Sequence, residues 1–338
     1  MHNSLNQVKF MNIKLIVAVV VLTIVVLLFS SSFGGTQQPV TSPVTTTATT
    51  TATTTSPQQT TAQSEDISAA VSVPEETPEI SAPQAGLYNL STGKVLYEKN
   101  GDTKIPPASL AKILTAVTAL TYMDSDTVIT VGSELDLVPK HSSICLIQKG
   151  HKLTLYDLLT GMLIASGNDA ARTVAVNVAR HVSDSDELSD KEAISYFVKL
   201  MNGIAQKIGC TDSKFKTPDG FDAKRQHTTV QDLALLYAYA INFTEIREIT
   251  SHAQKKVVFA SGENITWTNT NKLLHSSSPY YFPAATGMKT GTTNLAGNCL
   301  VASAEIDGQL YLSVVTGCSD EDQRYKATLE LFDLINSK

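Results

Sequence analysis

The chain has 338 residues, 42% of them hydrophobic, and its 26 basic and 32 acidic residues leave a net charge of −6. That is an ordinary globular composition, sufficient for one large domain or two medium ones. Lys and Arg form no cluster resembling a nucleic-acid patch, so no nucleic-acid partner is expected. The four cysteines, Cys145, Cys210, Cys299 and Cys318, lack C-x-x-C spacing, which argues against a zinc site.

At the N-terminus, Lys9 and Lys14 precede an apolar run, LIVAVVVLTIVVLLF, at 15–29. A run of this length suits either a signal peptide or a membrane anchor. No A-x-A cleavage site follows, which favours a retained anchor over residues 1–34. Positive charge ahead of the run puts the N-terminus inside and the rest of the chain outside. Residues 35–84 are rich in threonine and proline and contain no aromatic residue. Such a segment cannot form a core and reads as a flexible stalk. A folded domain is expected over 85–338, beginning near Gly86.

The alternating run AGLYNLSTGKVLYEKN predicts a strand hairpin around Ser91-Thr92-Gly93. In PPASLAKILTAVTAL, Pro106 to Leu120, the prolines suit a helix start, and Leu110, Ile113, Leu114, Val117 and Leu120 recur at helical spacing. Helical periodicity continues through TLYDLLTGMLIASGNDAARTVAVNVARHV, KEAISYFVKLMNGIAQKIG and TTVQDLALLYAYAI. The runs NCLVASAEI and QLYLSVVTGC then form a second hairpin, and DEDQRYKATLELFDLINSK closes as a helix. Strands at both ends with helices between them predict one α/β domain whose sheet joins the two ends, carrying a helical insert. A turn at Asp307-Gly308 sets Cys299 diagonal to Cys318, whereas a turn at Gly308-Gln309 sets them face to face. Free, buried thiols are the default expectation.

The chemistry is carried by three short pieces. The pattern S-x-x-K occurs at Ser91–Lys94, Ser109–Lys112 and Ser213–Lys216, and the first and last fall in turn or loop sequence. Only Ser109 lies at a helix N-terminus, where backbone N–H groups favour developing negative charge and Lys112 shares its face. The second piece is Ser166-Gly167-Asn168, between helical stretches, which offers a hydroxyl and an amide but equally suits an ordinary turn. The third is Lys289-Thr290-Gly291-Thr292 on a predicted edge strand. An extended substrate can pair with such a strand by backbone bonds, with Gly291 leaving room and Lys289 meeting a carboxylate. Lys112 can act as a base only if burial and a neighbouring cation, with Lys289 as the candidate, destabilise its ammonium. His227 ahead of a helix and His141 and His151 in polar loops form no rival triad.

These pieces, with TGKVLYEKN, KTPDGFD, HTTVQDLALL, NTNKLL and GMKTGTTNLAGNCLVASA in order along 85–338, resemble the D-alanyl-D-alanine carboxypeptidases, the low-molecular-mass penicillin-binding proteins. The resemblance implies a β-lactamase/transpeptidase-like fold with an antiparallel sheet. It implies Ser109 as the acylated nucleophile, Lys112 as general base and Ser166 as proton relay. Asn168, Lys289, Thr290, Gly291 and Thr292 would bind substrate, and the N–H groups of Ser109 and Thr292 would form an oxyanion hole. No metal or other cofactor is implied. The implied partners are peptidoglycan stem peptides and, as covalent inhibitors, β-lactams, met on the extracytoplasmic face of a bacterial membrane. Ser-Gly-Asn in place of Ser-Asp-Asn, with no Glu-x-x-x-Asn after Asn168, sets the chain apart from class A β-lactamases. The alternatives are a D,D-endopeptidase or transpeptidase on the same site, or a non-catalytic penicillin-binding sensor.

Overall fold

A computed structural model describes residues 79–336 apart from residue 186. The apolar run at 15–29 and nearly all of the threonine-rich segment lie outside the described residues, and with them the anchor and stalk expectations. Among the described residues no helix is long and apolar enough to cross a membrane.

Strands β1 (Gln84–Asn89) and β2 (Lys94–Lys99) form the expected first hairpin. A 3-10 turn, Ala108–Leu110, leads into α1 (Ala111–Tyr122). Then follow β3 (Val128–Thr130), β4 (Lys152–Thr154), α2 (Leu155–Ile164), α3 (Asn168–Ser183), α4 (Asp190–Ile208), α5 (Val230–Ala240) and α6 (Thr244–Ser251). The chain returns to strands in β5 (Gln254–Val258), β6 (Asn264–Thr268), β7 (Ala285–Thr293), β8 (Gly297–Ile306) and β9 (Gln309–Cys318), and closes with α7 (Glu321–Asn336). The main sheet is antiparallel, in the order β2-β1-β9-β8-β7, so strands from both ends of the domain meet at its centre and β7 is an edge.

Both faces of this sheet are covered, which explains why β8 and β9 are apolar along their length instead of alternating with polar residues. The pleat divides their side chains between two cores. Cys299, Val301, Leu312 and Val314 pack towards the helical insert, whereas Leu300, Ala302, Tyr311 and Val315 pack with Tyr325, Leu331 and Phe332 of α7. The insert is organised around α1, whose residues from Ala111 to Ala119 are all buried. It is enclosed on every side, so the stripe read from the sequence was only part of its apolar surface.

One boundary differs from expectation, and one of the two hairpin registers left open is selected. The packed chain begins at Ile80, ahead of Gly86, because Ile80 and Ala82 are buried against α7 and Ser81 donates from N–H and Oγ to Glu330 at 3.0 Å. In the second hairpin, Asp307 and Gly308 form the turn with φ of 51° and 70°, and Ile306 opposes Gln309. Beyond the Leu300–Val315 pair the register slips, so that Asn298 opposes Cys318; the bulged strand carries Gly317 at φ 77°. All four cysteines are free and buried.

Candidate active site

Ser109 sits in the middle of the 3-10 turn that precedes α1, and the turn is held from both sides by glycines. Gly220, in the Pro218-Asp219-Gly220 loop, adopts φ +76°, and a Cβ there would lie 1.7 Å from the carbonyl oxygen of Ala108. On the other side, a Cβ on Gly291 of β7 would lie 3.0 Å from that of Ala108 and 3.2 Å from the Ser109 nitrogen. At Gly220 only a side-chain-free residue admits this approach, and at Gly291 a Cβ would press tightly on the turn.

Lys112, one turn on, is fully buried and spends its three donors on named acceptors. Its Nζ donates to Ser109 Oγ at 2.8 Å, Asn168 Oδ1 at 2.7 Å and the carbonyl of Asp219 at 2.9 Å. Burial pushes its pKa down to about 8. The charges of Asp219 and Asp169 and the Cys145 thiol oppose that shift, and the Arg172 guanidinium reinforces it. Arg172 is in turn paired with the fully buried Asp219 carboxylate at 2.8 Å.

Ser166 takes the left-handed conformation at φ 60° between α2 and α3 and lines the same cleft as Ser109. The motif is therefore a special turn, with Asn168 as the first residue of α3. The side-chain Oδ1 of Asn168 accepts from Lys112 and its backbone N–H donates to Ser143 O at 2.8 Å, while its side-chain Nδ2 has no hydrogen bond among the described residues.

Strand β7 forms the opposite wall. Thr290, Gly291 and Thr292 line the cleft, but Lys289 is only 1% exposed and donates to the Thr290 carbonyl at 3.0 Å. Its pKa lies well below the usual range, first because of burial, then through repulsion from Lys112 and Arg324. The expected lysine pair exists, but the cation prominent at Lys112 is Arg172. Since Coulomb repulsion is mutual, Lys112 and Lys289 each disfavour charge on the other, with burial the larger cause at both.

The cleft is lined by two cations that the sequence reading missed, Lys272, paired with Glu321, and Arg324. Arg324, from the first turn of α7, donates to Thr292 Oγ1 at 3.1 Å and to Glu321 at 2.7 Å, while its buried Nε has no partner among the described residues. Thr270 was also missed; its hydroxyl lies 2.6 Å from that of Thr290. The whole cleft has a volume of about 560 Å³. It offers a nucleophile bonded to a lysine with a lowered pKa, backbone N–H groups at a turn and an edge strand, and a cation for an anionic chain end. Among the described residues no cluster of three or more His, Cys, Asp or Glu side chains suits a metal ion.

The sequence matches the profile of the S11 peptidases, described as D-alanyl-D-alanine carboxypeptidase, over residues 70–320. The chain belongs to this family. It is 34% identical over 265 residues to the D-alanyl-D-alanine carboxypeptidase DacC of Escherichia coli, an alignment covering 76% of this chain and 61% of DacC. With DacF of Bacillus subtilis the identity is 29%, covering 76% of this chain and 62% of DacF. The chain thus spans about three fifths of the length of these relatives. Among solved structures, the Streptomyces K15 DD-transpeptidase aligns with a TM-score of 0.69 at 26% identity, covering 77% of this chain and 99% of that one. Penicillin-binding protein D2 of Listeria monocytogenes, in its cefotaxime-bound form, aligns with a TM-score of 0.62 at 29% identity, with the same coverage of each chain. The α/β fold of this S11 member is therefore that of the penicillin-binding DD-peptidases, as its motifs implied.

Proposed function

We propose that this S11 member is a serine D-alanyl-D-alanine carboxypeptidase that removes the terminal D-alanine from peptidoglycan stem peptides through an acyl-enzyme. The observation that carries the reading is the 2.8 Å contact between Lys112 Nζ and Ser109 Oγ beside an edge strand. Neutral Lys112 takes the Ser109 proton as Oγ attacks the carbonyl carbon of the penultimate D-alanine. The N–H groups of Ser109 and Thr292 hold the oxyanion, and the peptide lies along β7. The terminal carboxylate meets Arg324, Thr292 and Thr290. As the C–N bond breaks, the proton carried by Lys112 passes through Ser166 to the leaving amine. Water, deprotonated by Lys112, then attacks the ester and Ser109 recovers its proton.

A β-lactam would enter the same first step and stay attached to Ser109. Likeness to a chain named DD-transpeptidase supports a second outcome for the same acyl-enzyme, transfer to an amine instead of water. We place the domain on the outer face of a bacterial membrane, held by residues 1–34. The charge asymmetry around the 15–29 run supports this, and retention of the full chain in the membrane fraction after an alkaline wash tests it.

Intact-mass spectrometry of the full chain with a penicillin, beside Ser109→Ala, tests the chemistry. A one-to-one adduct that requires Ser109, with D-alanine released from a D-Ala-D-Ala pentapeptide, is expected. An adduct with D-alanine release only when an acceptor amine is present, the peptide being recovered as its amine-transfer product, would make the enzyme a transpeptidase. An adduct with neither would make it a sensor, and no adduct would remove the reading altogether.

A further inference from the structure

Next to Asn168 stands an acid with no part in the mechanism above. Asp169 is 3% exposed, and its carboxylate accepts backbone N–H bonds from Cys145 at 2.9 and 3.0 Å, from Ile147 at 3.3 Å and from Ala170 at 3.0 Å. The bond to Ala170 stays within the first turn of α3, where a negative charge is favoured. The bonds from Cys145 and Ile147 cross to a loop without regular structure, 143–147, which runs beside the cleft and contributes Ser143 to its lining. Between the two clamped residues, Leu146 is 61% exposed and held at φ 68°. A leucine stays in that region only where its neighbours over-determine the backbone.

Further ties fix the same junction. Trp267 Nε1–H donates to the Cys145 carbonyl at 2.8 Å, and the Asn168 N–H donates to the Ser143 carbonyl at 2.8 Å. A Cβ on Gly167 would lie 2.6 Å from Asp169 Oδ1 and 2.7 Å from Cys145 Sγ, so loop and turn touch where the motif has its glycine.

We infer that Asp169 is a positioning residue for acylation: its carboxylate ties the 143–147 loop to the Ser166–Asn168 turn, setting one wall of the cleft and the Asn168 amide together against Lys112 and Ser109. The inference rests on the site being an acylating serine site. Asp169 also acts on the base directly. The groups facing Lys112 are Asp219, Asp169, the Cys145 thiol and Arg172, with Lys289 from β7, and Asp169 is one of those that raise its pKa.

Full-length Asp169→Asn keeps the size but loses the charge and turns an NH₂ group towards backbone N–H groups that need acceptors. Its second-order rate of acylation by a fluorescent penicillin, from pH 6 to 10, is compared with wild type and Ser109→Ala, with far-UV circular dichroism as the check on folding. The expected rate loss is about tenfold or more, the scale of a misplaced reacting group. The alkaline rise of the profile is expected to move to lower pH, because a negative charge that favours protonated Lys112 has gone. A folded variant with the wild-type rate, or with a lowered rate and an unmoved rise, overturns the inference. If Asp169→Asn does not fold, Trp267→Phe decides: it removes the other tie to Cys145 and keeps a ring. A lowered rate with an unmoved rise supports the positioned loop, and the wild-type rate overturns it. Failure of the wild type to acylate would strike the reading of the site instead.

Discussion

Replacing Arg172 with Gln tests how the site makes a base of Lys112. The guanidinium pairs with Asp219 at 2.8 Å, with side-chain exposures of 12% and 0%, so little solvent screens it. Glutamine keeps a donor near Asp219 but removes the charge. Two consequences act in the same direction: a cation that lowers the pKa of Lys112 disappears, and the Asp219 carboxylate that raises it loses its counter-charge. With a pKa of about 8, roughly one Lys112 in ten is neutral at pH 7, and nearly all are by pH 9. Each unit of upward shift lowers the neutral fraction at pH 7 by roughly tenfold and leaves the alkaline plateau unchanged. Stopped-flow acylation by a penicillin from pH 6 to 10 therefore gives a rise displaced to higher pH in Arg172→Gln, with the two plateaus coinciding. An unmoved rise, or a rate lowered equally at every pH, would refute the argument that a neutral Lys112 limits acylation.

Arg324→Gln should lower kcat/KM for a peptide ending in a carboxylate by about ten- to hundredfold, the range for a lost charge-assisted hydrogen bond. A peptide ending in an amide should be nearly indifferent to the change, and equal losses on both would remove Arg324 from carboxylate recognition. Gly220→Ala places a Cβ 1.7 Å from the Ala108 carbonyl oxygen at φ +76°. It should cost at least about 2 kcal/mol and displace the Ser109 turn, read as a lowered thermal midpoint together with lost acylation. Ile80→Ala, at a side chain 1% exposed, should destabilise the domain by about 2–4 kcal/mol in urea unfolding. No effect there would return the start of the domain to Gly86.

Much of the fold could be read from local pattern. The first hairpin, the helical middle, the second hairpin and the closing helix each follow from periodicity within one segment, and two strand-bearing ends around a helical insert leave few ways to build one sheet. What escaped depends on partners distant in sequence. Ile80 and Ala82 sit in a serine- and proline-rich stretch that looks like linker, and only α7 turns them into core. The Asp307-Gly308 turn was one of two registers the sequence allowed. Nothing within either strand announces the slip beyond Leu300 and Val315, which needs the backbone of Gly317.

At the site, residues within one motif were legible and residues that act on a motif from elsewhere were not, yet part of the second group follows from strand periodicity. On β7, Lys289 opposes Val301 and Gly291 opposes Cys299, both facing the helical insert, so alternation alone sends Lys289 inward towards Lys112 and turns Gly291 to the Ser109 turn. Thr290 and Thr292 then face the other side, with Leu300, where α7 packs. A substrate carboxylate held by those threonines needs its cation from the α7 side, and Arg324 in that helix's first turn supplies one. Lys289, read from the motif both as a contact for a carboxylate and as a cation near Lys112, is buried on the Lys112 side of its strand. The two-residue repeat that separates the cores of the domain also separates the buried Lys289, on the side of Lys112, from Arg324, the cation that the proposed mechanism assigns to the substrate's chain end.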